Sequence, residues 1–411
     1  MNKMLNTIEL FAGCGGLVDG FEKSNKFTAL ACVEWNKAPL DVLKKRFKNK
    51  YLREDVDDFI IRFDIQRTEE LIYGWKDDIE YGTGIGLRKI IKNNTIDVIA
   101  GGPPCQAYSL AGRVQDKNGM HDDYRNFLFE SYIKVVDEFK PKAIIFENVE
   151  GMLSAKPGGI NIVDSIKKKF NDIGYELIDD FKKYALIDLS NFGLPQKRKR
   201  VILLGIRKDS FQGNKQEALK DFYVNILNGK RSNYMTVREA IGDLPIFLPS
   251  KEIVKVGRKK FSHLPYETRI DGHYPRFHNQ RDITIFSDLA MDIETGEYKY
   301  KNTEILKKIY TEKTGNISKV HKYNVLDWNE PSNTITAHLK KDGLRYIHPD
   351  SKQGRTITVR EAARLQTFDD DFLFSGKMTN DYEMIGNAVP PKFAKILAES
   401  LYEFFKKHDL I

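Results

Sequence analysis

The 411-residue chain carries only three cysteines, Cys14, Cys32 and Cys105. Their number is odd and none forms a CxxC pair, which argues against a disulfide framework and against a cysteine-based zinc site. No apolar run is long enough to span a bilayer. The start, MNKMLNTIELF, lacks the apolar stretch and small-residue cleavage site of a secretory signal. The expectation is a cytoplasmic protein with no membrane partner. No low-complexity segment occurs, and no bound metal is expected. What remains is a chain with 41% hydrophobic residues, enough for a sizeable core, and a length that suits two domains.

The formal charge is +8, a modest excess compatible with nucleic acid. Its placement is more telling. Residues 251–281 hold eight Lys/Arg against three Asp/Glu, with aromatics and histidines threaded between them. The first half alternates strand and helix: TIELF (7–11), FTALACVEW (27–35), IDVIAGG (96–102), AIIFENV (143–149) and RVILLGIR (200–207) read as strands. Such β-branched runs separated by helices predict a mostly parallel sheet covered on both faces. Leu128, Tyr132, Val135 and Phe139 mark one amphipathic helix. Beyond about residue 235 the alternation stops, and six of the eight histidines lie between His263 and His348. The expected division is a catalytic, cofactor-binding domain over 1–235, completed by 380–411, and a smaller, mostly irregular and β domain over 236–379. TVREA occurs at 236–240 and again at 358–362, read as two similar helix starts. EPSNTITAHL (330–339) reads as a strand, and Pro391 opens a helix that returns to the first domain.

In open α/β sheets ligands bind beyond the carboxyl ends of the strands, and Glu34, Cys105 and Glu147 all fall at such ends. Phe11, Ala12, Gly13, Gly15, Gly16 and Leu17 form a glycine turn after the first strand, without the GxGxxG spacing that serves a pyrophosphate. Glu34 then offers a carboxylate to ribose hydroxyls, and Trp35 an aromatic face to a purine or a cation. The combination suits a nucleoside cofactor without phosphate, and S-adenosylmethionine fits. Cys14 and Cys32 read as small buried thiols. Cys105, set after two prolines at a strand end, reads as a nucleophile.

The set FAGCGG, VEW, DI (64–65), PPCQAYS, FENV, QKRKR (196–200), REAARLQ (360–366) and IGNAVPP (385–391) resembles the DNA (cytosine-5) methyltransferases, in the family's order. The resemblance implies a Rossmann-like S-adenosylmethionine-dependent fold with a target-recognition domain in the gap between 236 and 355. It implies Cys105 as the nucleophile at cytosine C6, Glu147 as the acid at N3, and Arg198 and Arg200 facing the flipped nucleotide. Asp64, Ile65, Pro104, Leu128, Asn387 and Ala388 join the cofactor contacts. Gln106, Ser109, Arg113 and Gln196 belong to the DNA-facing loops, and Asn148 helps position the site. In the basic stretch, Arg276, His278, Asn279, Gln280 and Arg281 are candidates to meet duplex DNA. One departure is the long insert between Asp64 and Ile96, which leaves the third-strand alignment open.

The expected activity is therefore DNA (cytosine-5-)-methyltransferase, acting as a monomer that protects host DNA beside a separately encoded restriction endonuclease. Two alternatives compete: a cytosine-5 methyltransferase acting on tRNA, and a DNA-binding relative with a dead active site. About 120 residues in the recognition gap favour duplex DNA over RNA, and intact Cys105, Glu147, Arg198 and Arg200 argue against a dead fold. A dinucleotide enzyme is disfavoured by the missing GxGxxG.

Overall fold

The computed structural model describes residues 4–104, 128–156, 159, 161–300, 302–317 and 322–411. Two compact units emerge. One contains residues 1–192, 198–232 and 389–411, and the other residues 193–197 and 233–388.

The first unit is built on a twisted sheet. Its strands are β1 (Leu5–Leu10), β2 (Phe27–Glu34), β3 (Ile60–Arg62), β6 (Val98–Gly101), β7 (Ala143–Val149), β8 (Tyr175–Leu177), β9 (Leu186–Asp188) and β10 (Lys199–Arg207). The order is β3-β2-β1-β6-β7-β10-β8, with β9 beside β10. β3, β2, β1, β6 and β7 pair in parallel, and β10 runs antiparallel to β7. The chain order reverses between β1 and β6, which is the switch point where open sheets form their crevice. Antiparallel β10 brings its start, rather than its end, to the carboxyl edge of its neighbours. Arg200 therefore sits opposite Val149, and Ile202 opposite Glu147.

Strands buried on both faces explain the near-continuous apolar runs: Ile8, Leu10, Val98, Ile99, Ile144 and Ile145 are buried. The helix Pro391–Lys407 packs on the helix Gly16–Lys23 so closely that a Cβ at Gly20 would lie 2.3 Å from that of Ala394 and 2.6 Å from the Pro391 carbonyl oxygen. Phe393, Leu397 and Phe404 supply its buried face. Asp19, fully buried, receives the Arg46 Nε at 2.5 Å and the Tyr51 hydroxyl at 2.8 Å.

The insert after Asp64 folds as a small module. A helix (Thr68–Tyr73) leads into β4 (Trp75–Asp78), which pairs antiparallel with β5 (Gly82–Gly84), and a helix (Leu87–Ile91) returns to β6. This resolves the third strand. β3 pairs with β2 in parallel with Arg62 opposite Glu34, so Asp64 lies just past the strand's carboxyl end.

The second unit holds one regular sheet among the described residues, the hairpin β11 (Leu248–Val256) and β12 (Lys259–Leu264). Its core joins Ile285, Phe286, Leu289, Tyr323 and Ile347. Helices Gln280–Glu294 and Thr303–Thr314 add helical content that the irregular-and-β reading of this region does not contain. In the first of these, β-branched Ile283, Thr284 and Ile285 mask a helix that Asn279 caps through the Asp282 N–H. EPSNTITAHL forms no strand. Ser332 makes one isolated bridge with Gln196, the Ile335 N–H bonds the Gln196 side chain at 3.3 Å, and Ala337–Lys340 is a 3₁₀ turn. The two TVREA segments are indeed twin helix starts. Thr236 with Glu239 and Thr358 with Glu361 both close capping boxes.

Candidate active site at the sheet edge

At the end of β1 the chain turns sharply. Phe11, Gly13 and Gly15 all have positive φ, at 58°, 56° and 94°. A Cβ at Gly13 would meet nothing within 4 Å, so this turn borders open space. The Gly13 N–H donates to Glu34 Oε2 at 2.8 Å, and the Asn36 N–H donates to Oε1 at 2.7 Å. These two bonds fix the carboxylate across the tips of β1 and β2 while leaving each oxygen a second acceptor position. Glu34 is 8% exposed; burial raises its pKa, against the lowering effect of the backbone bonds.

Glu9, on β1, is a residue the motif reading passed over. It is 4% exposed, and burial first, then the charge of Glu34, pushes its pKa well above the usual carboxylate range. Its signal in the sequence is an acid inside an apolar strand. Ala12 and Leu17 of the turn and Ile65 beyond β3 are buried, and Trp35 stands 46% exposed. Asp64 is half-buried and accepts the Gln66 N–H at 2.9 Å. An apolar floor, an open glycine turn and buried acids that bond no cation among the described residues fit S-adenosylmethionine, whose sulfonium is positive and whose ribose offers two hydroxyls.

Further along the same edge Pro103 and Pro104 follow the end of β6 at Gly101. The Asn148 amide donates to the Pro103 carbonyl at 3.3 Å, and its oxygen accepts the Val149 N–H at 2.8 Å. Asn148 thus fixes the β6 exit two residues before Cys105. Glu147 Oε1 takes the Arg200 Nε at 2.8 Å, with both side chains about one-seventh exposed (14% and 13%). A Cβ at Gly102 would lie 2.7 Å from Glu147 Oε2, so only glycine leaves that carboxylate its position. Arg198 precedes β10 and is 1% exposed, while Lys197 and Lys199 are exposed. The alternation expected of QKRKR is present. Leu128 opens the helix Leu128–Phe139 and is buried. Cys105, Gln106, Ser109 and Arg113 lie outside the described residues. Cys14 and Cys32 are buried thiols, and burial pushes Cys32 well up.

The remaining expected site residues belong to the second unit. Gln196 is fully buried there: its amide donates to the Leu365 carbonyl at 2.9 Å and to the Gln366 side chain. It acts as a brace. Asn387 ends the helix Met378–Asn387, and the Ala388 carbonyl accepts the Gln366 amide at 2.6 Å. Arg276 donates to the carbonyls of Leu339 (2.8 Å) and Lys341 (2.9 Å). Arg281 pairs with Asp282 at 2.8 Å. His278 corrects its reading as a base-reading group. It is 5% exposed, lies 3.2 Å from the Thr356 hydroxyl, and burial lowers its pKa to about 3.

Among the described residues no three His, Cys, Asp or Glu side chains converge as a metal site, and no helix is long and apolar enough to cross a membrane.

Residues 5–403 match the model of the C-5 cytosine-specific DNA methylases. A type II methyltransferase of Bacillus paralicheniformis, M.Bpa9945I, is 33% identical over 98% of this chain and 99% of its own. M.Eco47II of Escherichia coli is 29% identical over 99% of this chain and 81% of its own. Among solved structures, an Escherichia coli chain described as a prophage-encoded DNA modification methyltransferase superposes with a TM-score of 0.60 at 23% identity, covering 98% of this chain and 99% of its own. The S. pombe Dnmt2 methyltransferase gives 0.53 at 14%, with 98% and 99% covered. The glycine turn, the paired acids and the Glu147–Arg200 edge thus lie on a shared fold, and the chain belongs to the family of C-5 cytosine-specific DNA methylases.

Proposed function

We propose that the chain methylates C5 of a flipped-out cytosine in double-stranded DNA through a covalent adduct of Cys105. The observation that carries the reading is the Glu147–Arg200 pair at the β6 exit, with Asn148 anchoring the segment that leads into Cys105. Cytosine C5 is a poor nucleophile. Addition of the Cys105 thiolate to C6 forms the S–C6 bond and moves the ring's electron pair towards C5, while the Glu147 carboxyl serves as the hydrogen-bond partner of N3. S-adenosylmethionine, when bound, supplies an electrophilic methyl group. Loss of the C5 proton, to water, then lets the thiolate leave and restores the ring. Arg200 orients Glu147, and Arg198 and Arg200 hold the extruded nucleotide. Extrusion costs a few kcal/mol, supplied by contacts to the DNA.

Glu34 holds the ribose hydroxyls, Trp35 and Asp64 the adenine, and Glu9 lies among the acids that suit the cation. The second unit recognises the target. In its hairpin Lys255 lies directly opposite Lys260 and Lys259 opposite Val256. Like charges facing across strands repel each other and call for an anionic partner, and a two-stranded ribbon fits the major groove. The relatives' type II systems favour a protective role beside a separate endonuclease, with a monomer sufficient.

The test is incubation of the protein with S-adenosylmethionine and unmethylated genomic DNA, followed by bisulfite sequencing. Protected cytosines in one short context support the reading. Protection absent from DNA but present on RNA would overturn it.

A further inference from the structure

We infer that the insert hairpin β4–β5 is a clamp on the purine pocket, in which Arg62, held by Glu80 and Tyr81 of the hairpin, positions Trp35 against the adenine of the cofactor. This rests on the nucleoside-pocket reading above.

The hairpin is seated on the residues that end β3. Phe63, fully buried, donates its N–H to the Glu34 carbonyl at 3.2 Å, so it lies at the tip of the acid-bearing strand. Trp75 of β4 stacks on Phe63 at 3.9 Å with an interplanar angle of 27°, and Tyr81, at the hairpin's turn, lies 5.0 Å away. The Arg67 guanidinium covers Phe63 at 4.8 Å and binds Asp78 Oδ2 at 2.6 Å. These contacts make the hairpin a fixed part of the pocket's rim.

Arg62 ties that rim to Trp35. Its Nε donates to the Trp35 carbonyl at 3.2 Å, while Nη2 binds Glu80 Oε1 at 2.6 Å and Nη1 the Glu80 carbonyl at 3.3 Å. The same guanidinium lies 5.2 Å over the Tyr81 ring. Arg62 thus joins the hairpin's turn to Trp35. A hairpin that merely covered Phe63 would need no bond to the Trp35 carbonyl. Trp35 itself keeps an exposed face, 46% of its surface, and a planar base is the partner such a face suits.

The probe is S-adenosylhomocysteine, titrated calorimetrically into wild type, Glu34→Ala, Tyr81→Ala and Arg62→Gln, with melting temperatures to confirm folding. Loss of the ring beneath the Arg62 guanidinium predicts about 3-fold weaker binding for Tyr81→Ala, and loss of several hydrogen bonds about tenfold or more for Arg62→Gln. With saturating DNA, KM for the cofactor rises by the same factor while kcat holds, and DNA affinity is unchanged. Tyr81→Ala and Arg62→Gln that bind like wild type, while Glu34→Ala does not, would overturn the clamp and leave the pocket standing. Wild type and Glu34→Ala binding alike, or neither binding, would overturn the pocket and the clamp together.

Discussion

Each unit of the molecule buries a glutamate, and the two are held by different partners. Glu34, at the end of β2, is held by the N–H groups of Gly13 and Asn36. Burial drives its pKa up. Glu361, in the helix Val359–Leu365, is 1% exposed. Burial would raise it too, but Arg355 overrides that effect and holds it well below the usual carboxylate range. Two Arg355 nitrogens reach its two oxygens, each at 2.7 Å, and the Thr358 N–H adds a third bond at 2.7 Å. His263, His273 and His278 extend this network through Gln353, Thr358, Thr356 and Ser262. An acid that has its cation inside the fold is structural. An acid held by backbone amides at a strand end leaves its oxygens to a ligand.

The sharpest way to break this contrast is Cys105→Ala. It is expected to take methyl transfer to background while S-adenosylhomocysteine binding holds, measured by tritium transfer and calorimetry. Glu147→Ala belongs to the same class, with an expected loss of about 10²–10⁴ in kcat. In the second unit the corresponding damage is to stability. Arg355→Met leaves Glu361 buried without its partner and is expected to cost about 3–5 kcal/mol, read in chemical denaturation. Glu34→Ala inverts that pattern: it removes the acceptor of charge-assisted bonds, each worth about 1.5–3 kcal/mol. Cofactor binding is expected to weaken about 10- to 100-fold, with kcat at saturation little changed. A pure rate effect would contradict the assigned role.

Smaller effects sharpen the comparison. Burial lowers the pKa of His263 to about 4 and of His278 and His348 to about 3, from 6.5. The unfolded chain therefore takes up protons first as pH falls below 6.5, and stability is lost between there and those values. His278→Gln removes one such group, so its loss of stability between pH 7.5 and 5.5 is expected to be smaller than wild type's by about 1.4 kcal/mol. Smallest of all, Lys255→Ala and Lys260→Ala are each expected to lower the salt dependence of DNA binding by about one unit of slope, measured by titration at several salt concentrations.

Much of the first unit was legible because its signals are local. Strand runs end at Glu34, Gly101 and Val149, within one residue of where the sequence patterns end, and the glycine turn declares its own backbone. The alternation of Arg198 and Arg200 with two lysines foretold which side chains turn inward. Glu9 escaped because one acid in an apolar strand has no motif, and its meaning depends on Glu34 across the β1–β2 pair. The second unit was less legible because its polar residues are satisfied over long sequence separations. Gln196 bonds residues 365 and 366, and His278 bonds 356. Histidines and arginines in a basic stretch look like a surface until those partners are known. The hairpin on Phe63 was hidden for the same reason: packing of Trp75 and Tyr81 on that ring leaves no period in the sequence.

The most direct test places 5-fluorocytosine in the context that bisulfite sequencing identifies. Fluorine at C5 replaces the proton whose loss would release the enzyme, so the S–C6 bond persists. The expected result is a denaturation-resistant complex of protein and DNA that requires cofactor, carries one added methyl by mass, and is absent from Cys105→Ala. A complex formed equally by Cys105→Ala, or none from an enzyme that methylates the unfluorinated site, would contradict it.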